Sequence, residues 1–482
     1  MEIDEKYYNY HVDDLEYAIV SEPTVQYSLF EEDNLLQQDK QLNQLSVFRS
    51  LEKDITFSLA HSFENQVHFQ QAHLTPVQRW FPYREGYSIR LVTAFLNELK
   101  ITGKVFDPFS GSGTTLLAAR HKNLQSFGID VNPISTLVAT VENERYNQAD
   151  IKAINAELKI LNAIIKSDKR FEISFDLAVK MFNDEILQTI LQLKKHIKSI
   201  ENIKVQNLFF VAWLSIVEEV SNIKKEGNGI KYKNRKRTHS GYLNIAKDDW
   251  ENKHFPADKF LFVKNKLFAK IKLFLSDIKN DYGNSDKKPI VIHYDCLNFD
   301  EIFADKLQFT FFSPPYCNCF DYFEIHKVEL WLGDFVNNKE DFKKMRETGF
   351  RSNISSLNGK SINYKNCHLE NLIALFDRDN LWSNKIPSVV RGYFDDMHTL
   401  LKKLYLQTQR GGYVGIVIGN SAYSGVIIPS DILTAQIAKE IGFKVENIFI
   451  TRHLTTSSQQ KKELEPLKEY LRESIVLLKK EN

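Results

Sequence analysis

Val105-Phe106-Asp107-Pro108-Phe109-Ser110-Gly111-Ser112-Gly113-Thr114-Thr115 is the stretch on which the reading of this chain turns. Lys104 to Phe106 is short, apolar and β-prone, and it runs into an acid, a proline and Gly-Ser-Gly. Thr114 to Lys122 is helix-prone, with Leu116, Leu117 and Ala119 on one side. The pattern reads as strand, tight glycine turn, helix. Glycine at 111 and 113 allows positive φ and lets backbone approach a ligand closely. The N-terminus of the helix behind them favours negative groups. The next strand, Gln125 to Asp130, ends in a second acid. An acid at that tip, about twenty residues past the turn, suits a ribose diol. The competing reading is an ordinary βα turn.

A second stretch, Phe309-Thr310-Phe311-Phe312-Ser313-Pro314-Pro315-Tyr316, lies about two hundred residues on. Its first half is a buried strand by composition. Two prolines cannot continue a central strand, because they donate no ladder hydrogen bond. A rigid loop at a strand C-terminus results, where open α/β sheets place their ligands. It offers a Ser hydroxyl, a Pro carbonyl and an aromatic face, which can hold an exocyclic amino group and stack on its ring.

Asp-Pro-Phe-x-Gly-Ser-Gly-Thr followed by Ser-Pro-Pro-Tyr resembles the amino-methylating DNA methyltransferases, which modify N4 of cytosine or N6 of adenine. The Ser-Pro-Pro-Tyr spelling is similar to the cytosine-N4 branch; the adenine branch more often has Asp or Asn first. The resemblance covers roughly residues 75–135 and 287–482. It implies a Rossmann-like, doubly wound, mostly parallel seven-stranded α/β sheet with a helical insertion domain. It implies S-adenosylmethionine as cofactor, held by Asp107, Phe109, Gly111, Gly113, Thr114, Asp130 and Asp295. Ser313, Pro314, Pro315 and Tyr316 would be the catalytic loop. Double-stranded DNA with a flipped target base would be the partner. With no endonuclease motif evident, a separate cognate restriction endonuclease would be the other half of a restriction-modification system. An adenine-N6 enzyme, a tRNA guanine-N2 methyltransferase and a catalytically silent nucleic-acid binder are the rival readings.

Composition bounds the rest. The 482 residues allow two or three units, and 43% hydrophobic residues are ample for a core. With 63 basic against 62 acidic residues the net charge is +1, so any nucleic-acid surface must come from local clustering. Cys296, Cys317, Cys319 and Cys367 lack zinc spacing, and no metal site is expected. Reduced thiols, no leader-like N-terminus and no apolar run of membrane-spanning length point to a cytoplasmic protein without a membrane partner.

The expected divisions are an N-terminal extension (1–72), a cofactor half (73–135), a helical insertion (136–286) and a second catalytic part (287–482) with a polar insertion at 336–395. Residues 1–35 are acidic and Tyr-rich, fitting either a loose arm or an interaction surface. Leu42 to Leu59 has helical character. In His73 to Tyr87, the aromatics Trp80, Phe81 and Tyr83 fit either core packing or, by resemblance, closure over the methionine end of the cofactor. Asp150–Ser167 and Asn183–Lys198 read as helices. Lys224 to Arg237 carries seven basic residues against one acid, with two glycines suggesting a mobile loop. Lys224, Lys225, Lys231, Lys233, Arg235, Lys236 and Arg237 are the candidate DNA contacts. Lys343, Lys344, Arg346, Arg351, Lys360, Lys365 and Arg391 form a rival basic set in the second insertion. Pro289 to Asp295 is another strand ending in an acid. On the helical run Asp321 to Gly333, His326 is either a general base or structural. Gly411–Asn420, Val445–Ile450 and Ser474–Lys479 read as strands with an antiparallel end, Pro429–Ile441 as a helix, and Ser421–Gly425 as a Gly-rich loop. Loop Thr451–Gln460 is placed near the target base.

Overall fold

A computed structural model describes residues 29–67, 75–172, 175, 177–227, 229–238, 241–280, 286–303, 305–455 and 461–481. Most of the acidic N-terminal arm, His73, and residues 456–460 of the polar loop lie outside the described residues. The strands in chain order are β1 (Phe57–Leu59), β2 (Val105–Asp107), β3 (Ser126–Asp130), β4 (Ile223–Glu226), β5 (Gly229–Tyr232), β6 (Arg235–Thr238), β7 (Gly241–Asn244), β8 (Ile290–His293), β9 (Leu307–Phe312), β10 (Thr408–Gly419), β11 (Ser421–Tyr423), β12 (Val426–Ile428), β13 (Lys444–His453) and β14 (Arg472–Lys479).

Eight of them form one sheet in the order β1-β13-β14-β10-β9-β2-β3-β8. β10, β9, β2, β3 and β8 are mutually parallel. β14 is antiparallel to both its neighbours, β10 and β13. Helices on both faces of such a sheet bury its central strands completely, which is why β2 and β9 are near-continuous apolar runs.

The expected seven strands become eight. Helix Leu29–Glu52 stops short of Leu59, and Phe57–Leu59 turns out as β1, pairing in parallel with Ile448–Ile450 of β13. The run Ile55 to Leu59 is too short and too mixed to announce a strand without its partner. The antiparallel strand is also not at an edge: β14 is inserted between β10 and β13. The Gly-rich stretch after β10 folds as a small hairpin, β11–β12, rather than as a loop.

Between β3 and β8 the chain inserts helices that pack onto the sheet domain. Asn147 and Asp150 form a reciprocal capping box at the start of helix Gln148–Ala163, and Asn183 caps helix Asp184–Lys198. Helix Pro133–Glu142 straddles the 135/136 division drawn from the sequence and packs on both β3 and β8. One apolar cluster runs from Phe311 of the sheet through Trp80 to Phe274 and Leu193 of the insertion. Asp277, on helix Lys259–Asn280, clamps the segment that precedes the glycine turn. Its carboxylate accepts hydrogen bonds from Val77 N at 3.1 Å, Arg79 Nε at 2.9 Å and Trp80 Nε1 at 2.9 Å. Among the described residues no helix is long and apolar enough to cross a membrane.

The basic stretch expected as a mobile loop is two β-hairpins, β4–β5 and β6–β7. Ile223 is fully buried, and Ile230 and Tyr232 pack against the core, so this stretch carries enough inward apolar surface to order. Asn222 and Asn234 hold the bases of both hairpins together: Asn234 N donates to Asn222 Oδ1, and Asn222 Nδ2 to Asn234 Oδ1.

Candidate active site

Chain order along the sheet reverses between β2 and β9. From β2 the chain proceeds to β3 and β8 on one side, and from β9 to β10 on the other. A crevice opens beyond the strand ends at such a switch point. The two signature loops leave these neighbouring strands, so the glycine turn and Ser-Pro-Pro-Tyr lie side by side. They line one cavity of about 390 Å³, to which Ser110, Gly111, Asp130, Ser313, Pro314 and Tyr316 all contribute.

The glycine turn is fastened to the tip of β3. Asp130 Oδ2 accepts from Gly111 N at 3.0 Å and Oδ1 from Asn132 N at 2.8 Å. Burial pushes the Asp130 carboxyl up to about 6. Gly111 has φ +49°, and a Cβ there would lie 2.8 Å from the Tyr83 ring. Gly113, at φ +87°, serves helix packing instead, since a Cβ there would meet Asn143 and Ala139 of the next helix. Phe109 lines the cavity and stacks on Phe312. Thr114 lines it too, accepting from Gln78 Nε2 at 3.0 Å.

Asp107 sits behind the cavity wall. It is 1% exposed, accepts from Tyr87 Oη and from Phe109 N at 3.0 Å each, and is pushed up to about 7 by burial. Its partner Tyr87 is on the cavity lining, whereas Asp107 itself is not. Asp295 caps a short 3-10 turn through Leu297 N at 2.9 Å, and it is the adjacent Cys296 that lines the cavity.

On the opposite wall the Tyr316 phenol donates to Glu473 Oε1 of β14, and Arg452 Nε of β13 donates to Glu473 Oε2. The Tyr316 ring lies where a Cβ on Gly419 would come within 2.7 Å of it. Arg452 and Glu473 both line the cavity. Arg452 falls at the start of the stretch Thr451–Gln460 expected near the target base, whereas nothing near Glu473 in the sequence marks it; the antiparallel placement of β14 brings it there.

The inserted chain closes the site from the side. Lys225 Nζ lies 2.7 Å from Glu329 Oε1 and 3.3 Å from His326 Nδ1. Burial first, then Lys225 and Arg84, hold the His326 imidazole well below its ordinary value. With Nδ1 facing an ammonium, His326 serves as a packing and hydrogen-bonding group. Its ring stacks on Tyr83, centroids 5.9 Å apart at 13°. The two readings of the aromatic segment therefore divide. Trp80 and Phe81 are buried core, whereas Tyr83 covers the glycine turn and faces the cavity.

No family model matches the sequence. Among curated proteins, the Type II methyltransferase M.AvaI from Nostoc is 26% identical over 422 residues, covering 80% of this chain and 82% of its own. M.BsoBI from Geobacillus stearothermophilus is 25% identical over 431 residues, covering 82% and 84%. M.MjaII from Methanocaldococcus jannaschii is 23% identical over 325 residues, covering 62% and 54%. Over most of its length the chain is similar to several Type II methyltransferases. A solved rRNA methyltransferase, aviRa from Streptomyces viridochromogenes, aligns at 9% identity with a TM-score of 0.27, covering 85% of this chain and 92% of its own, a likeness too low to bear an argument.

Methyltransferases of this kind use S-adenosylmethionine, and the cavity's donor set fits it. Asp130 offers a carboxylate on the lining that could accept from a diol, Phe109 and Tyr83 offer ring faces, and two buried polar atoms on the lining, Ser110 Oγ and Glu85 Oε2, have no protein partner. An orphaned buried carboxylate oxygen is costly, and a cationic ligand group relieves that cost.

The basic candidates fare unevenly. Lys225 is buried in its ion pair, and Lys233 Nζ is spent on the carbonyls of Glu218 and Ser221 at 2.7 and 2.8 Å. Lys224 and Lys231 both pair with Glu226. A charge count cannot see these partners, since the β4–β5 pleat turns alternate side chains inward. Arg235 and Lys236 remain exposed; the side chain of Arg237 lies outside the described residues. In the second insertion Arg351 is buried against Asp395 and Asp396, Arg346 pairs with Asp321 and Arg391 with Glu370. Lys344, Lys360 and Lys365 stay exposed there.

Proposed function

We propose that the chain is a site-specific DNA methyltransferase that transfers a methyl group to the exocyclic N4 amino group of cytosine, as the modification partner of a separate restriction endonuclease. The observation that carries this reading is that the glycine turn and the Ser-Pro-Pro-Tyr loop line one cavity. Relatives that are Type II methyltransferases support DNA as the substrate.

S-adenosylmethionine, when bound, supplies a methyl group on a positively charged sulfur. Asp130, Gly111, Phe109 and Thr114 would orient it. The amino nitrogen of cytosine is a poor nucleophile, because its lone pair is delocalised into the ring. Hydrogen bonds from that amino group to Ser313 Oγ and the Pro314 carbonyl favour a pyramidal nitrogen facing the cofactor side. Alignment of the two partners supplies much of the acceleration, on the order of several kcal/mol. A base inside a duplex cannot reach this cavity and must be extruded. Tyr316, braced by Glu473, would flank it. Cys317 and Cys319 lie just past the loop, but burial pushes both thiols up, so neither supplies the thiolate that ring-carbon attack requires.

Incubation with radiolabelled S-adenosylmethionine and unmethylated plasmid DNA, followed by nucleoside mass analysis, tests the reading. N4-methylcytosine is expected. N6-methyladenine would move the target to adenine, label confined to tRNA would make the substrate RNA, and no label would leave only a binder. Ser313→Ala is expected to lower turnover by about 10²-fold, the scale of a lost hydrogen-bonding group acting on the reacting atoms.

A further inference from the structure

Among the described residues the β6–β7 hairpin is a two-stranded ribbon with no third strand. All four residues of β7 are exposed. Two of them are large and apolar: Tyr242 is 70% and Leu243 54% exposed. As neighbours in one strand they project from opposite faces of the ribbon, and both are exposed. In the strand register, the backbone of Lys236 pairs with Leu243 and that of Arg237 with Tyr242. Arg235 lies over the Tyr232 ring, 5.4 Å from its centroid, and neither it nor Lys236 has an acidic partner among the described residues. In a chain of net charge +1, these cations together with an uncovered aromatic make a local surface suited to a polyanion with stacked rings. The hairpin also leaves the body at the Asn222–Asn234 clasp, which it shares with β4–β5. Lys225, Glu226 and Gly227 of that second hairpin line the cavity. The ribbon is therefore joined through this clasp to the neighbouring hairpin that walls the cavity.

We propose that the β6–β7 hairpin enters a groove of duplex DNA, with Arg235 and Lys236 on backbone phosphates and the exposed Tyr242 ring as a wedge that unstacks a base step beside the nucleotide to be extruded. The assignment rests on the DNA reading above. A wedge of this kind costs unstacking energy at the step and gains a base free to leave the helix.

Fluorescence anisotropy of the full chain with a fluorescein-labelled 30-base-pair mixed-sequence duplex tests it, between 50 and 200 mM salt. For Arg235→Ala/Lys236→Ala, a roughly tenfold loss of affinity and a salt slope shallower by about 2 are expected, near 0.9 per phosphate contact. For Tyr242→Ala, a roughly tenfold loss is expected on the paired duplex and little loss on the same duplex carrying a one-base mismatch, where the step is already loosened. Unchanged S-adenosylmethionine binding by calorimetry shows that the variants are folded. Lys152→Ala/Lys159→Ala, exposed lysines on helix Gln148–Ala163, should leave binding unaltered. Wild-type affinity in both hairpin variants, an equal loss in the lysine control, or no duplex binding by the wild type overturns the proposal. Methyl transfer into plasmid DNA is read separately. Transfer with hairpin-independent binding overturns the wedge alone, and hairpin-dependent binding without transfer overturns the enzymatic reading alone.

Discussion

Lys225 Nζ stands 2.7 Å from Glu329 Oε1, and the two side chains are only 2% and 3% exposed. The pair joins β4 of the inserted chain to helix Lys327–Leu332, just beyond the Ser-Pro-Pro-Tyr loop. Breaking a buried pair from one side leaves the other charge stranded. Glu329 Oε2 already lacks a hydrogen-bond partner, which sharpens the effect. Lys225→Met is expected to destabilise the protein by about 3–5 kcal/mol in guanidinium denaturation. Lys225→Met/Glu329→Leu should recover most of that loss. A single variant as stable as wild type would show that the pair contributes nothing.

Cofactor affinity should depend on pH through Asp130. A ribose diol donates to an ionised carboxylate, so binding favours the charged form. With the free carboxyl at about 6, affinity is full above that pH and falls up to about tenfold per unit below it. Asp130→Asn should bind more weakly at pH 8 and show a flat profile from pH 5 to 8. Calorimetric titration of S-adenosylmethionine across that range gives both curves; parallel slopes would remove Asp130 from the diol.

Asp107 makes an opposite kind of statement, about stability. Its folded carboxyl is at about 7, above the ordinary 3.8, so between those values the folded state holds a proton that the unfolded state has released. Stability therefore declines as pH rises from about 4 to 7 on account of this group. Asp107→Asn keeps the shape and the acceptor for Phe109 N but cannot ionise. Its denaturation midpoint should decline less over that interval than that of the wild type. Identical pH dependence in the two proteins would refute the assignment.

The two glycines of the turn should separate under mutation. Gly111→Ala sets a methyl against the Tyr83 ring on the cavity wall, while Gly113→Ala drives one into Asn143 and Ala139. Each also strains a positive φ, on the order of 1–2 kcal/mol. Gly113→Ala is expected to be the more destabilising in thermal melts. Gly111→Ala is expected to lose the more cofactor affinity, by about tenfold, because Tyr83 must leave its place over the turn. The reverse order would contradict both assignments.

Glu473 is a positioning residue, acting through Tyr316 and Arg452. Glu473→Gln should lower kcat about tenfold while KM for S-adenosylmethionine stays put. Tyr316→Phe should lower kcat as well, and the double variant should fall short of the product of the two single effects, because the singles share the Tyr316–Glu473 hydrogen bond. A change confined to cofactor KM, or full additivity, would place Glu473 elsewhere in the chemistry.

What the sequence determined alone was local. Strand, glycine turn and helix around Gly111, the proline stop after Phe312, the acid ending β3 and the capped helices of the insertion each follow from neighbours in the chain. Backbone conformation and capping are decided over a few residues, so they can be read there. Tertiary structure decided where side chains ended up. Asp107 and Asp130 are both acids at strand tips, yet one is turned behind the cavity wall and the other lines it. Lys225 reads as a surface cation and is buried against Glu329, a hundred residues away. Glu473 carries no local signal and reaches Tyr316 only because β14 inserts between β10 and β13. Phe57–Leu59 becomes a strand only where β13 offers an open edge. Burial and charge pairing are properties of segments that meet across the sheet, and the order in which strands meet is set by the whole core rather than by any short run of residues.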